Sequence, residues 1–594
     1  IYKGVVKYKG GFDVPKPYTP VGFEGDSWRQ VPDTCKNNFA TLNPLDAVTD
    51  NQSGTDYTQA AHSNGNLTVT LSDDFSSARG SIGISTGKYY WEIRIDDNYN
   101  APGMGVIAPG NQLTSYSAGA NGASYEPRSD RFRKNGVNFY DGTNNKTDDG
   151  LIVGVALDKN VGIISFFADG TLLSNGTMTG LNALSGVHIP ECFTYNDGSN
   201  VDNTFTWNFG QNPTFSGQVT AGTNADASGK GLFKYAPPSG FLALCEDNLP
   251  TPAIADPGKH FKTVLYTGTD SSRSVTGVGF KPDMVWIKSR SNNWWHQVFD
   301  TIRGPGNRLY PNESQGEDYR ETTLRSFDDS GFSIGDDDGG INNGGDTYVA
   351  WCWKAGGPAV SNTDGTITSQ VSVNQDAGFS IVSYDGGGNA SDTVGHGLSS
   401  SAKMIILKDR EVAGNNWRVW HTDLDANYWF YLNLTNAQAN AAVDGGIRNV
   451  NNSTLGFVDG TSFGVEAVNT LNRKYIAYCW TEIEGYSKFG SYTGNGVVDG
   501  PFVYCGFKPA FVLCKIKTTT GNWVLKSNHI STNPNDYTIV PDTNDTEFGP
   551  ANTEFDFLSN GFKIRTGSVL VNTSAATIVY AAFAESPFNT ANAK

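Results

Sequence analysis

"YVAWCWK" begins at Tyr348, "YIAYCWT" at Tyr475 and a weaker third copy, "YAAFAES", at Tyr580. A second phrase recurs in step with the first: "GFKPDMVWIK" from Gly279, "GLSSSAKMIILK" from Gly397 and "GFKPAFVLCK" from Gly506. Upstream of these lie "VLYTGT" at Val264, "IVSYDG" at Ile381 and "FGSYTGNG" at Phe489; downstream lie "NNWWHQVFD", "NNWRVWHTD" and "GNWVLK". The same phrases in the same order three times predict three related domains, at 261–358, 359–484 and 485–594. Each reads as five or more strands joined by loops of variable length.

Strand alternation places Tyr348, Ala350 and Cys352 on one face and Val349, Trp351 and Trp353 on the other. Anchored on its tyrosine, the third copy puts Tyr580, Ala582 and Ala584 on the first face. Cys352 and Cys479 thus exchange with alanine, which a metal ligand or redox thiol does not tolerate and a small buried residue does. Cys514 stands where Ile287 and Leu407 stand in the second phrase. The 7 cysteines are odd in number, scattered and free of C-x-x-C pairs, which disfavours a complete disulfide framework and a zinc ribbon alike.

At 594 residues the chain is too long for one core. Its 69 glycines, with abundant Asn, Asp, Ser and Thr, suit many short strands and tight turns. Long amphipathic helices are hard to find; the best helical stretch, "TNAQANAAVDGG", is short. The net charge of −17 and the absence of a basic stripe argue against nucleic acid. No apolar run approaches a membrane span, so no membrane insertion is expected. The chain opens on Ile1, which leaves a signal peptide or an upstream anchoring domain open. Residues 1–33, with four prolines, read as an extended N-terminal connector. Residues 246–260 read as a linker.

Residues 34–245 have another texture. "GSIGISTGKYYWEIRID" reads as strand, turn, strand; "GLIVGVALDKNVGIISFFADGTLL" reads as two apolar strands around a turn; "NTFTWNFGQNP" reads as a late strand. Such text fits a two-sheet sandwich. The ordered set "YYWEI", "GVALD", "ISFFADG", "WNFGQNP" resembles the SPRY domain, a concanavalin-like β-sandwich. The resemblance implies that Trp91 and Glu92 lie on a core-flanking strand, and that loops at one end bind proteins or peptides without catalysis. The fold class expected for the whole chain is all-β: a SPRY-like sandwich followed by three related sandwich-like repeat domains.

The best metal candidate is the acidic loop "GDDDGGINNGGD", where Asp336, Asp337, Asp338 and Asp346 offer hard oxygens suited to calcium. Its spacing is no EF-hand, its Asp-Gly and Asn-Gly pairs are ordinary hairpin signals, and the other two copies lack it. His296 aligns with Trp417 and His421 with Asp300, so the two histidines are no shared catalytic device. No G-x-S-x-G, H-E-x-x-H or Walker sequence occurs. Trp294, Trp295, Trp417, Trp420 and Trp523 carry two readings: flat platforms for sugar faces, or fillers of small β cores, the second being favoured. Trp294 is singled out as an exposed binding residue because it neighbours Trp295 and adjacent strand residues face opposite ways.

The combination of a SPRY-like domain, a linker and these repeats resembles tail-fibre-type proteins of bacteriophages. The resemblance implies a virion protein, assembled in the host cytoplasm and sited on the tail or as a capsid appendage. It would be non-enzymatic and would hold no cofactor beyond the calcium candidate. The expected function is host-surface adhesion, to glycan or protein, by a homo-oligomer. A trimer is expected by fibre analogy, in company with other virion proteins. The alternatives are a head or collar decoration without receptor binding, and a polysaccharide depolymerase.

Overall fold

The computed structural model describes residues 37–46, 48–49, 60–71, 76–97, 102–110, 121–143, 145–146, 148–181, 186–194, 202–336, 340–440, 445–458, 466–549 and 553–588. The connector at 1–33 lies outside the described residues. The chain is all-β. A front sandwich pairs a seven-stranded sheet with an eight-stranded one. Its central strand Lys88–Ile95 lies between Ile152–Asp158 and Asn203–Asn208. Alternation sends Trp91, Ile93 and Ile95 into the space between the sheets, where they meet Val106, Tyr125 and Phe166. Two hairpins turn on residues that tolerate positive φ: Asn135–Gly136 at 54° and 77°, and Asp169–Gly170 at 45° and 80°.

Each repeat is a smaller two-layer unit. In the first, the inner sheet runs Phe261–Thr267, Thr347–Trp353, Met284–Ser289, Gln297–Asp300, and the outer sheet runs Arg273–Thr276, Gly331–Ile334, Leu324–Asp328. The third repeats this order with Ser487–Thr493, Thr577–Pro587, Phe507–Ile516 and Val524–Ser527 inside, and Phe502–Tyr504, Gly561–Ile564 and Phe555–Leu558 outside. The second has the same plan, extended by the hairpin Val360–Asn362 and Ser369–Asn374 on one edge of its inner sheet and by Tyr428–Tyr431 and Ala439–Asn440 on the other.

Sheet register corrects the alignment of the third copy. Trp353 lies opposite Met284, Trp480 opposite Met404, and Phe583 opposite Phe511. The matching stretches are therefore 347–353 "TYVAWCW", 474–480 "KYIAYCW" and 577–583 "TIVYAAF". Ile578, not Tyr580, takes the place of Tyr348 and Tyr475, and Ala582, not Ala584, takes the place of the cysteines. The slip is two residues, one full strand period, so every side chain keeps its face.

The two faces of the inner sheets have different partners. Tyr348, Ala350 and Cys352 fill the space beneath the outer sheet of the first repeat; Tyr475, Ala477 and Cys479 do so in the second. The opposite faces of all three repeats share one core. At its centre Trp353, Trp480 and Phe583 form a triangle with ring-centroid separations of 6.1, 5.8 and 6.5 Å. The gap left among them is about 10 Å³, no more than the smallest space that takes one water, and its apolar lining offers a water no partner.

The repeats thus close into a ring with approximate threefold symmetry inside one chain. The front sandwich sits on the outer sheet of the third repeat. Gly83 N donates to the Tyr504 hydroxyl at 3.0 Å, Asn560 donates to Ser81 O at 2.9 Å, and Ile189 packs on Phe502 and Tyr504.

Candidate functional site

The ring is joined by one set of contacts used three times. The Trp417 indole N–H donates to Tyr310 O at 2.8 Å, and that of Trp523 to Tyr431 O at 2.8 Å. At the third junction His296 stands in the tryptophan position and its Nε2 lies 3.1 Å from Val540 O. Since His296 Nδ1 accepts from Trp286 Nε1 at 3.0 Å, Nε2 carries the proton and donates. The backbone N–H of each of these residues is taken by a side chain of its own repeat: Asn312 for His296, Asn433 for Trp417, Asp542 for Trp523. Ion pairs follow the same circuit, Arg410 with Glu317, Lys517 with Asp425 and Arg290 with Glu547.

Behind each junction a lysine is buried. Lys408 Nζ donates to Asn415 O at 2.7 Å and to Ser314 O of the first repeat at 3.3 Å. Lys515 donates to Gly521 O and to Leu434 O of the second repeat. Lys288 donates to Ser289 O and Asn292 O. Burial lowers the pKa of all three ammonium groups to about 8.

Because His296 takes the inward position at the first–third junction, the two tryptophans before it stay outside. Trp294 is 41% exposed and Trp295 40%. Both are held. Trp294 Nε1 donates to Asp346 Oδ2 at 3.2 Å, and its backbone N–H donates to Asn292 O at 2.8 Å. Trp295 stands edge-on to Tyr310 at 5.1 Å. Asn292 Nδ2 donates to Asp346 Oδ1 at 2.6 Å. From the third repeat, Asn544 Nδ2 donates to Asn293 O at 3.2 Å, and Thr546 N to Asn293 Oδ1 at 3.1 Å.

Two candidates from the sequence therefore meet: Asp346 is the anchor of Trp294. Asp346 is buried and also accepts from Asn343 Nδ2 at 2.9 Å, so its oxygens face N–H donors. Asp336 is exposed, and Asp337 and Asp338 lie outside the described residues. Among the described residues no three His, Cys, Asp or Glu side chains are grouped to hold a metal ion. Of the other tryptophans, Trp417 and Trp523 are buried at the junctions and Trp420 is half-buried. Asn544 and Thr546, which reach the site from another repeat, carry no local sequence signal.

Glu92 is the other notable titratable group. It is buried on the face of its strand opposite Trp91 and accepts from Lys234 N at 2.8 Å, Tyr235 N at 2.7 Å and Asn208 Nδ2 at 3.1 Å. Burial pushes its pKa up to about 7 despite those bonds. Its acceptors are used to tie down a loop. The described cysteines, Cys192, Cys245, Cys352, Cys479, Cys505 and Cys514, are unbridged and buried.

Two of the solved structures to which the chain is similar have a TM-score of 0.23 each. With the SPRY domain of human HERC1 it shares 17% identity over 28% of this chain and 96% of that one. With the PSpry domain of TRIM65 it shares 15% identity over 29% and 90%. No curated protein matches it. The family model described as a domain of unknown function, DUF7483, matches residues 256–587, the span that folds into the ring, and the chain belongs to that family.

Proposed function

We propose that this is a bacteriophage virion protein, a tail fibre or similar appendage, that recognises the host surface without catalysis. The observation that carries the reading is the Trp294–Trp295 pair. Two large aromatic side chains stand partly in solvent on a loop fixed by two repeats, and fixed apolar surface binds with less ordering cost than mobile surface. The net charge of −17 would limit indiscriminate sticking. A homotrimer of such chains would multiply one weak contact into avidity, since later contacts are effectively intramolecular. The SPRY-like sandwich would add a second, protein-facing surface.

A purely architectural role, as a head or collar decoration, is favoured by a different observation: the ring uses the inner faces of all three repeats on itself. The two roles separate in one experiment. Antibody labelling places the chain on the intact virion, and fluorescent purified protein is applied to host cells in competition with phage adsorption. Adhesion requires binding and competition; a virion-borne protein that does neither is architectural.

A further inference from the structure

We infer that the corner formed by Trp294 and Trp295 is a docking site for an uncharged saccharide, an inference that rests on the adhesion reading and gives its ligand a chemistry. The first support is a break in the repeat. The residue before each junction ring is Trp295 in the first repeat, Asn416 in the second and Asn522 in the third. Both asparagines serve their own fold: Asn416 Oδ1 accepts from Asn433 Nδ2 at 2.7 Å, and Asn522 Nδ2 donates to Asp542 at 3.0 Å. The first repeat alone puts tryptophans there. A departure from a local rule, kept at the expense of apolar exposure, marks a functional position more often than a structural one.

The second support is rigidity. Ser289, Asn292, Asn293, Trp294, Trp295 and His296 each have a partner outside their own side chain. The indole planes are therefore set before any ligand arrives, which lowers the ordering cost of binding.

The third support is charge. The cations of the corner are engaged: Arg290 pairs with Glu547, and Lys288 is buried against backbone carbonyls. The carboxylate of Asp545 is exposed nearby, next to Asn544, which holds Asn293. An anionic ligand would meet repulsion without compensation. What remains on offer is aromatic surface beside the exposed residues Asn292, Asn293 and Asn544, with Asn292 Oδ1, Asn293 Nδ2 and Asn544 Oδ1 as the amide atoms not used by the bonds to Asp346, Thr546 and Asn293. A sugar ring matches that pair of features. Its C–H face covers apolar ring surface, and its hydroxyls exchange hydrogen bonds with amides, which both donate and accept.

The test uses the full chain. Neutral oligosaccharides of glucose, galactose, mannose and N-acetylglucosamine are titrated by calorimetry, with oligogalacturonate as the anionic counterpart and acrylamide quenching of tryptophan fluorescence as a second readout. The expected result is that at least one neutral series binds and shields tryptophan from acrylamide. The double substitution Trp294→Ala, Trp295→Ala should weaken binding at least about tenfold while the variant stays folded at the temperature of the titration, as its unfolding curve checks. Trp294→Phe, Trp295→Phe, which loses the same bond to Asp346, should keep part of the binding. No binding by any neutral series, stronger binding by the anion, or equal binding by wild type and the Ala variant overturns the site. Host-cell adherence is measured on the same samples. Cells bound equally by wild type and Ala variant leave adhesion standing while the site falls; a wild type that binds no cell overturns adhesion itself.

Discussion

The indole N–H of Trp417 lies 2.8 Å from the backbone carbonyl of Tyr310, across the boundary between the first and second repeats. Trp523 stands in the same relation to Tyr431 and His296 to Val540, so each repeat donates to the one before it and the first donates to the last. A head-to-tail contact of this kind closes when its rotation is a whole fraction of a turn. Here three unequal copies in one chain complete the circle, and no repeat has a free end.

Trp417→Phe tests the polar part of that contact. It keeps most of the ring and removes the N–H, leaving a buried carbonyl without its donor. The expected loss is about 1–3 kcal/mol, with a similar loss for Trp523→Phe. Urea unfolding of each variant and of the pair measures it. Losses that are negligible in both single variants would mean that ring shape alone joins the repeats. The ion pairs beside them are part-exposed, and little is expected from removing those.

Trp480→Ala tests the apolar part. Trp480 is buried among Trp353, Phe379 and Phe583 in the core shared by the three repeats. Truncation should cost about 3–5 kcal/mol, and because the core is common, all three repeats should lose stability together. Calorimetry of residues 256–587 should show one shifted transition. A variant in which only the second repeat melts early would contradict the shared core.

The cysteines of the closing strands test the repeat alignment. Cys352 and Cys479 are buried beneath their outer sheets, at the position that Ala582 holds in the third repeat. Cys352→Ala should cost about 1 kcal/mol, within the range of ordinary substitutions. Cys352→Ser should cost more, because it buries a hydroxyl among apolar side chains. Equal melting temperatures for the Ser and wild-type proteins would show that this space is not apolar.

That position also shows what the sequence could and could not convey. Matching on tyrosine misplaced the third copy by two residues, yet the exchange of cysteine for alanine survives, since Ala582 and Ala584 share a face. Strand faces and the threefold repeat depend on local periodicity and are legible. Ring closure is not, because it depends on which copy's Trp or His meets which copy's carbonyl, and carbonyls carry no side-chain signature. Trp294 is exposed, but not by strand alternation: residues 291–296 lie in no strand, Trp295 is as exposed as Trp294, and the anchor Asp346 reads in the sequence as a calcium ligand. An aspartate written among glycines and asparagines looks alike whether it faces a cation or three N–H groups.

Histidine makes the ring sensitive to acid, with a sign that can be worked out. His296, His396 and His421 are buried, each accepting at Nδ1, from Trp286 Nε1, Leu398 N and Asp423 N, and donating at Nε2, to Val540 O, Asn451 O and Tyr580 O. Protonation would set one N–H against another. Burial accordingly lowers all three pKa values, that of His421 to about 4. In the unfolded chain these groups take up protons near 6.5, so their contribution is complete above that pH and is lost as pH falls toward 4. For His421 the loss approaches about 3 kcal/mol. Glu92 and Asp542 act oppositely: burial raises them to about 7 and about 6, and they favour the folded state as pH falls toward the ordinary carboxylate range. The comparison therefore needs His421→Gln beside wild type. At pH 7.5 the variant should be the less stable of the two, and by pH 5 the gap should narrow or reverse. Parallel curves would remove His421 from the account. His396 bonds within the second repeat, whereas His296 bonds to Val540 and His421 to Tyr580. The two acid-sensitive contacts between repeats therefore hold the third one, and amide exchange near pH 5 should show its junctions loosening before the one at Trp417.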